Sequence, residues 1–287
     1  MAVSPTDPNQ FVSCIKIEGR RPRDIYVLLV STNEERSIHY SRIFVYKNFP
    51  DQTPEQVLSV EDWIVDFTFG SDEEIIAITA NGAVYIENDG EFKHERITNT
   101  PLFKLSQAFG DRTVAAGFDG VAFLYRRGEW RDISMKKPVN LYAVTVVGAK
   151  ETYVGGGNGF LGYHDGQNWT EIESSTNNNF NTASVEPSGR VVVAGEKGTV
   201  IAGTAADGFE ILDCKEFDIF GSCMYKGNLL LSAPGYGLFK IIGNSITDFQ
   251  KGPQAYRISS NENYLYLAED DCILIHDGSN WPQLPIF

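Results

Sequence analysis

Apolar residues along this chain come in short runs, broken by polar turns that contain glycine, and the runs return in a fixed phase. One line recurs as ITANGAVYIENDGEFKHERI, AAGFDGVAFLYRRGEWRDI, VGGGNGFLGYHDGQNWTEI, VAGEKGTVIAGTAADGFEIL, SAPGYGLFKIIGNSITDF and LAEDDCILIHDGSNWPQL. Its turn landmark is Gly82, Gly120, Gly159, Gly198 and Gly237, with Asp271 in the last copy, at steps of 38, 39, 39, 39 and 34 residues. A second landmark trails it by about ten residues: Phe92, Trp130, Trp169, Phe209, Ile246 and Trp281. Two landmarks in step over six copies predict a repeat architecture with one supersecondary unit per copy.

Each copy reads as a β-meander. Glu74–Thr79, Thr113–Ala116, Val191–Ala194 and Asn228–Ser232 are rich in Val, Ile, Leu and Ala. Asn81-Gly82, Asp119-Gly120, Asn158-Gly159 and Asp89-Gly90 are dipeptides that accept positive φ in tight hairpins. The small residues Val154–Gly157 suggest an inner strand crowded against the axis of the repeat. Before the first clear copy, Phe11–Ile17, Asp24–Val30, Ser41–Tyr46 and Gln56–Val60 alternate apolar with polar and supply one more, divergent unit. A charged connection at Ser31–Tyr40 divides it. The expectation is an all-β chain forming a single closed β-propeller of seven four-stranded blades, with six blades as the alternative. Residues 1–10 form a tail, residues 11–60 the divergent blade and residues 61–287 the six recognisable blades. If the blades are contiguous, no strand exchange is needed for closure, and Trp281–Phe287 forms the outer strand of the last one.

Asp165-Gly-Gln-Asn-Trp-Thr-Glu-Ile172, echoed by Asp277-Gly-Ser-Asn-Trp281, resembles the repeats of the broad WD40/YVTN/BNR-like propeller superfamily over roughly residues 60–287. The resemblance implies the fold alone, because that superfamily hosts hydrolases, assembly factors and binding scaffolds. The Gly-His and Trp-Asp signatures of WD40 blades and the strict Asp-box of sialidases are missing.

Charge narrows the partners. The 287 residues carry a formal net charge of −14, a field that repels phosphate and argues against nucleic acid or an anionic membrane. It would draw in a basic protein partner. The basic pairs Arg126-Arg127 and Lys136-Lys137 are too few for a nucleic-acid track. Residues 1–8 lack the basic and apolar regions of a secretory leader, so a cytoplasmic location is expected and the Asn168-Trp169-Thr170 sequon reads as accidental. Cys14, Cys214, Cys223 and Cys272 lack CxxC spacing and read as reduced core residues.

No residue pattern announces catalysis. His164 and His276 both precede an Asp-Gly turn at one repeat position, which points to blade geometry, while His39 and His94 have no partner at metal-ligand spacing. Val154–Gly159 lacks the Lys-Ser/Thr of a phosphate loop, and no GxSxG, HExxH or calcium-loop pattern occurs. No metal and no cofactor is expected. What remains are loops: Glu34 and Glu35, Asp72 and Glu73, Asp270, and Asn178 with Phe180 in the polar stretch Ser174–Asn181, all taken as partner-binding positions. Asp72 and Asp270 occupy different repeat positions, which would set them on opposite faces. The function expected is a non-catalytic scaffold binding a protein, in a narrower form a bacterial immunity protein against a basic toxin. The alternatives are a glycoside hydrolase or lyase with its site in the central funnel, and an assembly factor.

Overall fold

A computed structural model describes residues 10–21, 23–33, 37–49, 53–212, 216–251, 255–269 and 272–285. Seven four-stranded antiparallel sheets, each a meander of strands consecutive in sequence, stand in a ring. They are blade 1 (residues 10–60), blade 2 (64–96), blade 3 (102–132), blade 4 (141–172), blade 5 (180–212), blade 6 (221–250) and blade 7 (257–285). The first strand of each blade is innermost and faces the first strands of its neighbours. The seven-blade reading holds, and the last strand of blade 7, Gln283–Pro285, pairs among the described residues with Cys272–His276 of that blade.

The core is divided among the blade interfaces. Seven apolar clusters fill the gaps between adjacent sheets, including one between blade 7 and blade 1 built on Ile17, Ile25, Tyr266 and Ile275. Because each sheet is covered on both faces, its second strand is apolar on successive residues, as in Ile75–Thr79 and Val191–Gly195, which are buried throughout. The landmark glycines sit in the turns between second and third strands. Gly159 has φ +69°, and a Cβ there would lie 1.9 Å from the carbonyl oxygen of Thr176. The turn fits only glycine.

Two expectations change. The small residues of Glu151–Gly156 belong to the second strand of blade 4, not the innermost one, which is Leu141–Val147. Their size admits the neighbouring blade: a Cβ on Gly155 would stand 2.8 Å from Phe180 Cβ and 3.0 Å from Val193 Cγ1. The Ser31–Tyr40 connection is mostly strand, since pairing in blade 1 continues through Ser31↔Tyr40 and Thr32↔His39 to Asn33↔Ile38.

Candidate functional site

The innermost strands of five blades carry the same irregularity. Pairing with the second strand skips Ile15, Val65, Phe103, Tyr142 and Asn181, each a β-bulge one residue before the ladder resumes. A bulge turns the skipped side chain out of its alternation. Here all five line a cavity of about 480 Å³ at one mouth of the central funnel. Phe220 and Tyr256 complete this collar from blades 6 and 7 without a bulge.

The residue after each collar position forms a second tier, deeper in the funnel. In blades 7, 1, 2 and 3 it is Arg257, Lys16, Asp66 and Lys104; in blades 4, 5 and 6 it is Ala143, Thr182 and Gly221. One wall is therefore charged and the opposite wall is small. The space below the tier, about 240 Å³, is lined on its open side by the hydroxyls of Thr182, Ser184 and Ser222, linked at 2.6 and 2.7 Å.

Within the charged wall the partners are unevenly matched. Lys16 Nζ lies 2.8 Å from Asp66 Oδ1 and 3.1 Å from Glu18 Oε1. Asp66, with its side chain only 2% exposed, also accepts the backbone N–H groups of Phe67 at 3.0 Å and Leu105 at 2.9 Å. Lys104 Nζ stands farther off, 3.6 Å from Asp66 Oδ2. Arg257 donates Nε–H to the Ile15 carbonyl oxygen at 3.2 Å and makes no ion pair with a described residue.

The ionisation of the wall follows from those distances. Burial opposes the Lys16 charge, but Asp66 and Glu18 beside it hold its pKa above the ordinary lysine value. Burial likewise opposes the Asp66 carboxylate, and Lys104 and Lys16 outweigh it, leaving the carboxyl below its usual range. Burial pushes Glu18 up. Lys104 is lowered to about 8, first by burial and then, against the pull of Asp66, by repulsion from Lys16 and Arg257.

The funnel mouth opens on the face that carries the turns between second and third strands. Trp63, Phe103, Tyr236 and Tyr256 are 43%, 39%, 58% and 46% exposed there. Trp63 stacks on His39 at 4.5 Å, and Phe103 packs edge-on to Tyr142 at 5.4 Å.

The sequence-predicted positions are scattered by comparison. Glu34, Glu35 and Asp270, like Cys214 and Asp271, lie outside the described residues. Asp72 and Glu73 sit in the turn between the first two strands of blade 2, at the end of the funnel away from the mouth. Glu73 is occupied there, 3.3 Å from Arg20 Nε and 3.2 Å from Arg21 Nη2. Asn178 is on the mouth side but ties blade 4 to blade 5, donating Nδ2–H to Thr199 Oγ1 at 2.7 Å. Phe180 is fully buried between those blades, so it is a core residue and not a partner contact. Its stretch reads as polar because Asn178, Asn179 and Asn181 hydrogen-bond to the neighbouring turns and strands.

The repeat histidines behave as blade geometry predicts. His164 and His276 Nδ1 accept the N–H of Gly166 at 3.1 Å and Gly278 at 2.7 Å. They pack against Trp169 and Trp281 with ring centroids 4.9 and 4.5 Å apart.

Sequence reasoning missed the charged tier. Lys16, Asp66, Lys104 and Arg257 stand alone in apolar surroundings within different copies. Aligning the innermost strands on their bulges would have put them on one level.

The class defined by this architecture is the seven-bladed β-propeller, as the repeat resemblance implied. No known family profile matches the chain. It is 25% identical over 239 residues to the immune protein Tsi7 of Pseudomonas aeruginosa, covering 74% of this chain and 76% of that one. Among solved structures it superposes on a streptogramin B lyase with a TM-score of 0.72 and 10% identity, covering 80% of this chain and 85% of that one. A chain of the mitotic checkpoint complex gives 0.70 and 10%, with 100% and 96% covered. At such identities the solved structures establish the fold alone.

Proposed function

We propose that this chain is a non-catalytic propeller that binds a protein, and that it serves as a bacterial immunity protein whose toxin docks around the funnel mouth. The observation that carries the reading is that four exposed aromatics, Trp63, Phe103, Tyr236 and Tyr256, share one face, with Phe109 alone exposed on the other among the described residues. Tryptophan and tyrosine anchors dominate protein interfaces, because they bury much area at little entropic cost. The similarity to Tsi7 supports the immunity role, and the net charge of −14 would steer a basic partner to the surface. The test is co-purification from the native host, followed by expression of the recovered partner in a bacterial strain. A stoichiometric partner that arrests growth alone and is silenced by this chain is the expected result. Recovery of no such partner, or of one harmless to the cell, removes the reading.

A second reading, a lyase or glycoside hydrolase working in the funnel, is favoured by Lys104. An amine titrating near 8 beside a carboxylate is suited to proton transfer. Turnover of an ester or glycoside that disappears in Lys104→Met would establish it in place of the first.

A further inference from the structure

We infer that the funnel is a binding site for a monoanionic carboxylate carried on an aromatic or apolar body. The inference goes beyond partner binding and does not depend on it. Four features converge. The collar presents Phe103, Tyr142, Phe220 and Tyr256 to a cavity of about 480 Å³, which suits a flat apolar group. Beneath it the side facing blades 5 and 6 is uncharged, and Thr182, Gly221 and Ser222 line the deeper cavity there. Opposite them stand Lys104 and Arg257, which line both the mouth and the deeper cavity. Arg257 has no carboxylate among the described residues, although half-buried guanidinium groups ordinarily take one.

The local charges select the ligand's valence. Lys16 is committed to Glu18 and Asp66. Glu196, at the edge of the mouth, is held by Asn179, whose Nδ2–H reaches Oε1 at 2.8 Å and whose backbone N–H reaches Oε2 at 3.3 Å. That leaves Arg257 and the loosely held Lys104 to receive a carboxylate. Glu18, Asp66 and Glu196 together resist a dianion. A carboxylate matches the planar fork of an arginine in two parallel hydrogen bonds.

The experiment is saturation-transfer and titration NMR on the purified full chain, using phenylacetate, its neutral analogue phenylacetamide, and inorganic phosphate. Phenylacetate is expected to bind with a Kd of about 1 mM, as its few atoms allow. Phenylacetamide should be weaker by about tenfold to a hundredfold, the worth of charge-assisted hydrogen bonds. Arg257→Gln should lose the same factor. Since Arg257 also holds Ile15, Lys104→Met serves as a second variant, with folding of both checked by circular dichroism. A phenylacetamide affinity equal to that of phenylacetate would overturn the inference. So would phosphate binding as tightly, no binding at about 10 mM phenylacetate, or two folded variants that bind as the parent does. An acetyl-Phe-Asp-amide peptide, a monoanion, bound at the same residues would identify a protein segment as the natural source, and its failure beside phenylacetate binding a free small molecule. Loss of toxin capture with phenylacetate binding retained would count against the immunity reading only.

Discussion

Arg257 donates its Nε–H to the carbonyl oxygen of Ile15 at 3.2 Å, joining positions 242 apart in sequence. Beside it the hydroxyl of Ser259 donates to the Ile17 carbonyl oxygen, and Asn261 Nδ2 donates to Arg21 O at 3.2 Å. Among the described residues the ring closes through side chains packed and bonded across one seam, with no strand shared between blade 7 and blade 1.

The seam should be intolerant of added volume. A Cβ on Gly19 would stand 2.6 Å from Asn261 Nδ2 and 2.7 Å from the hydroxyl of Tyr266, which is fully buried. Gly19→Ala is expected to lower stability by roughly 1–3 kcal/mol, the usual cost of overpacking, in urea or thermal melts. An unchanged melting temperature would contradict the tightness of the seam.

Glycines of one chain should differ sharply in their tolerance. Gly90→Ala meets nothing within 4 Å, although φ is +81°, so it should cost about 1 kcal/mol for the backbone conformation alone. Gly159→Ala drives a Cβ onto the Thr176 carbonyl and should prevent a stable fold at 37 °C. Parallel expression and melting of the two variants decides this.

Breaking the buried pair at the funnel should cost more than breaking a surface one. Asp66→Asn removes the charge that holds Lys16 and stands near Lys104, and roughly 3–5 kcal/mol of stability is expected to go with it. Lys47→Ala, at the exposed Glu55 pair, should leave the denaturation midpoint close to the parent's, because solvent and salt screen that pair. Chemical denaturation of both variants compares them.

Lys104 should make stability rise on the alkaline side. Its pKa is about 8 in the folded chain and near 10.4 when unfolded. Between these values the unfolded chain binds the extra proton, so stability increases as pH rises from 8 to 10. Lys16 has the opposite sign, its pKa being raised, and its contribution is lost only above the ordinary lysine value. The difference between the parent and Lys104→Met in urea midpoint against pH isolates the effect; identical profiles would show that Lys104 titrates normally.

Partner docking at the mouth predicts a face-specific map. Trp63→Ser with Tyr256→Ser should weaken toxin capture by about tenfold or more without moving the melting temperature. Ile211→Ser, an exposed apolar change on the outermost strand of blade 5, should leave capture unchanged. Surface plasmon resonance with the recovered partner reads both.

The blades were legible because they are local. Asn158-Gly159 must turn and Val191–Gly195 must be buried whatever else the chain does, so the phase and six blades followed from spacing, while the seventh rested on the divergent residues 11–60. The loop positions fared differently. Phe180 sits among asparagines in sequence, and only the approach of blade 4 makes it core. Glu73 looked like a free acidic group because its partners, Arg20 and Arg21, lie in the preceding blade.

A repeating array of β-meanders was readable from the residues alone, since turn chemistry and apolar alternation act over a few residues and repeat, and the structure closes seven of them into the ring. What the ring holds at its centre depends on folding. Arg257, Lys16, Asp66 and Lys104 come from four blades spread over the whole length of the chain. Each is one residue among apolar neighbours until successive blades stand side by side, which joins Lys16, Asp66 and Lys104, and closure adds Arg257 from blade 7. Their burial, the shift of Lys104 and the unmatched guanidinium all arise from that approach, because electrostatic coupling depends on distance in space and the sequence records only distance along the chain.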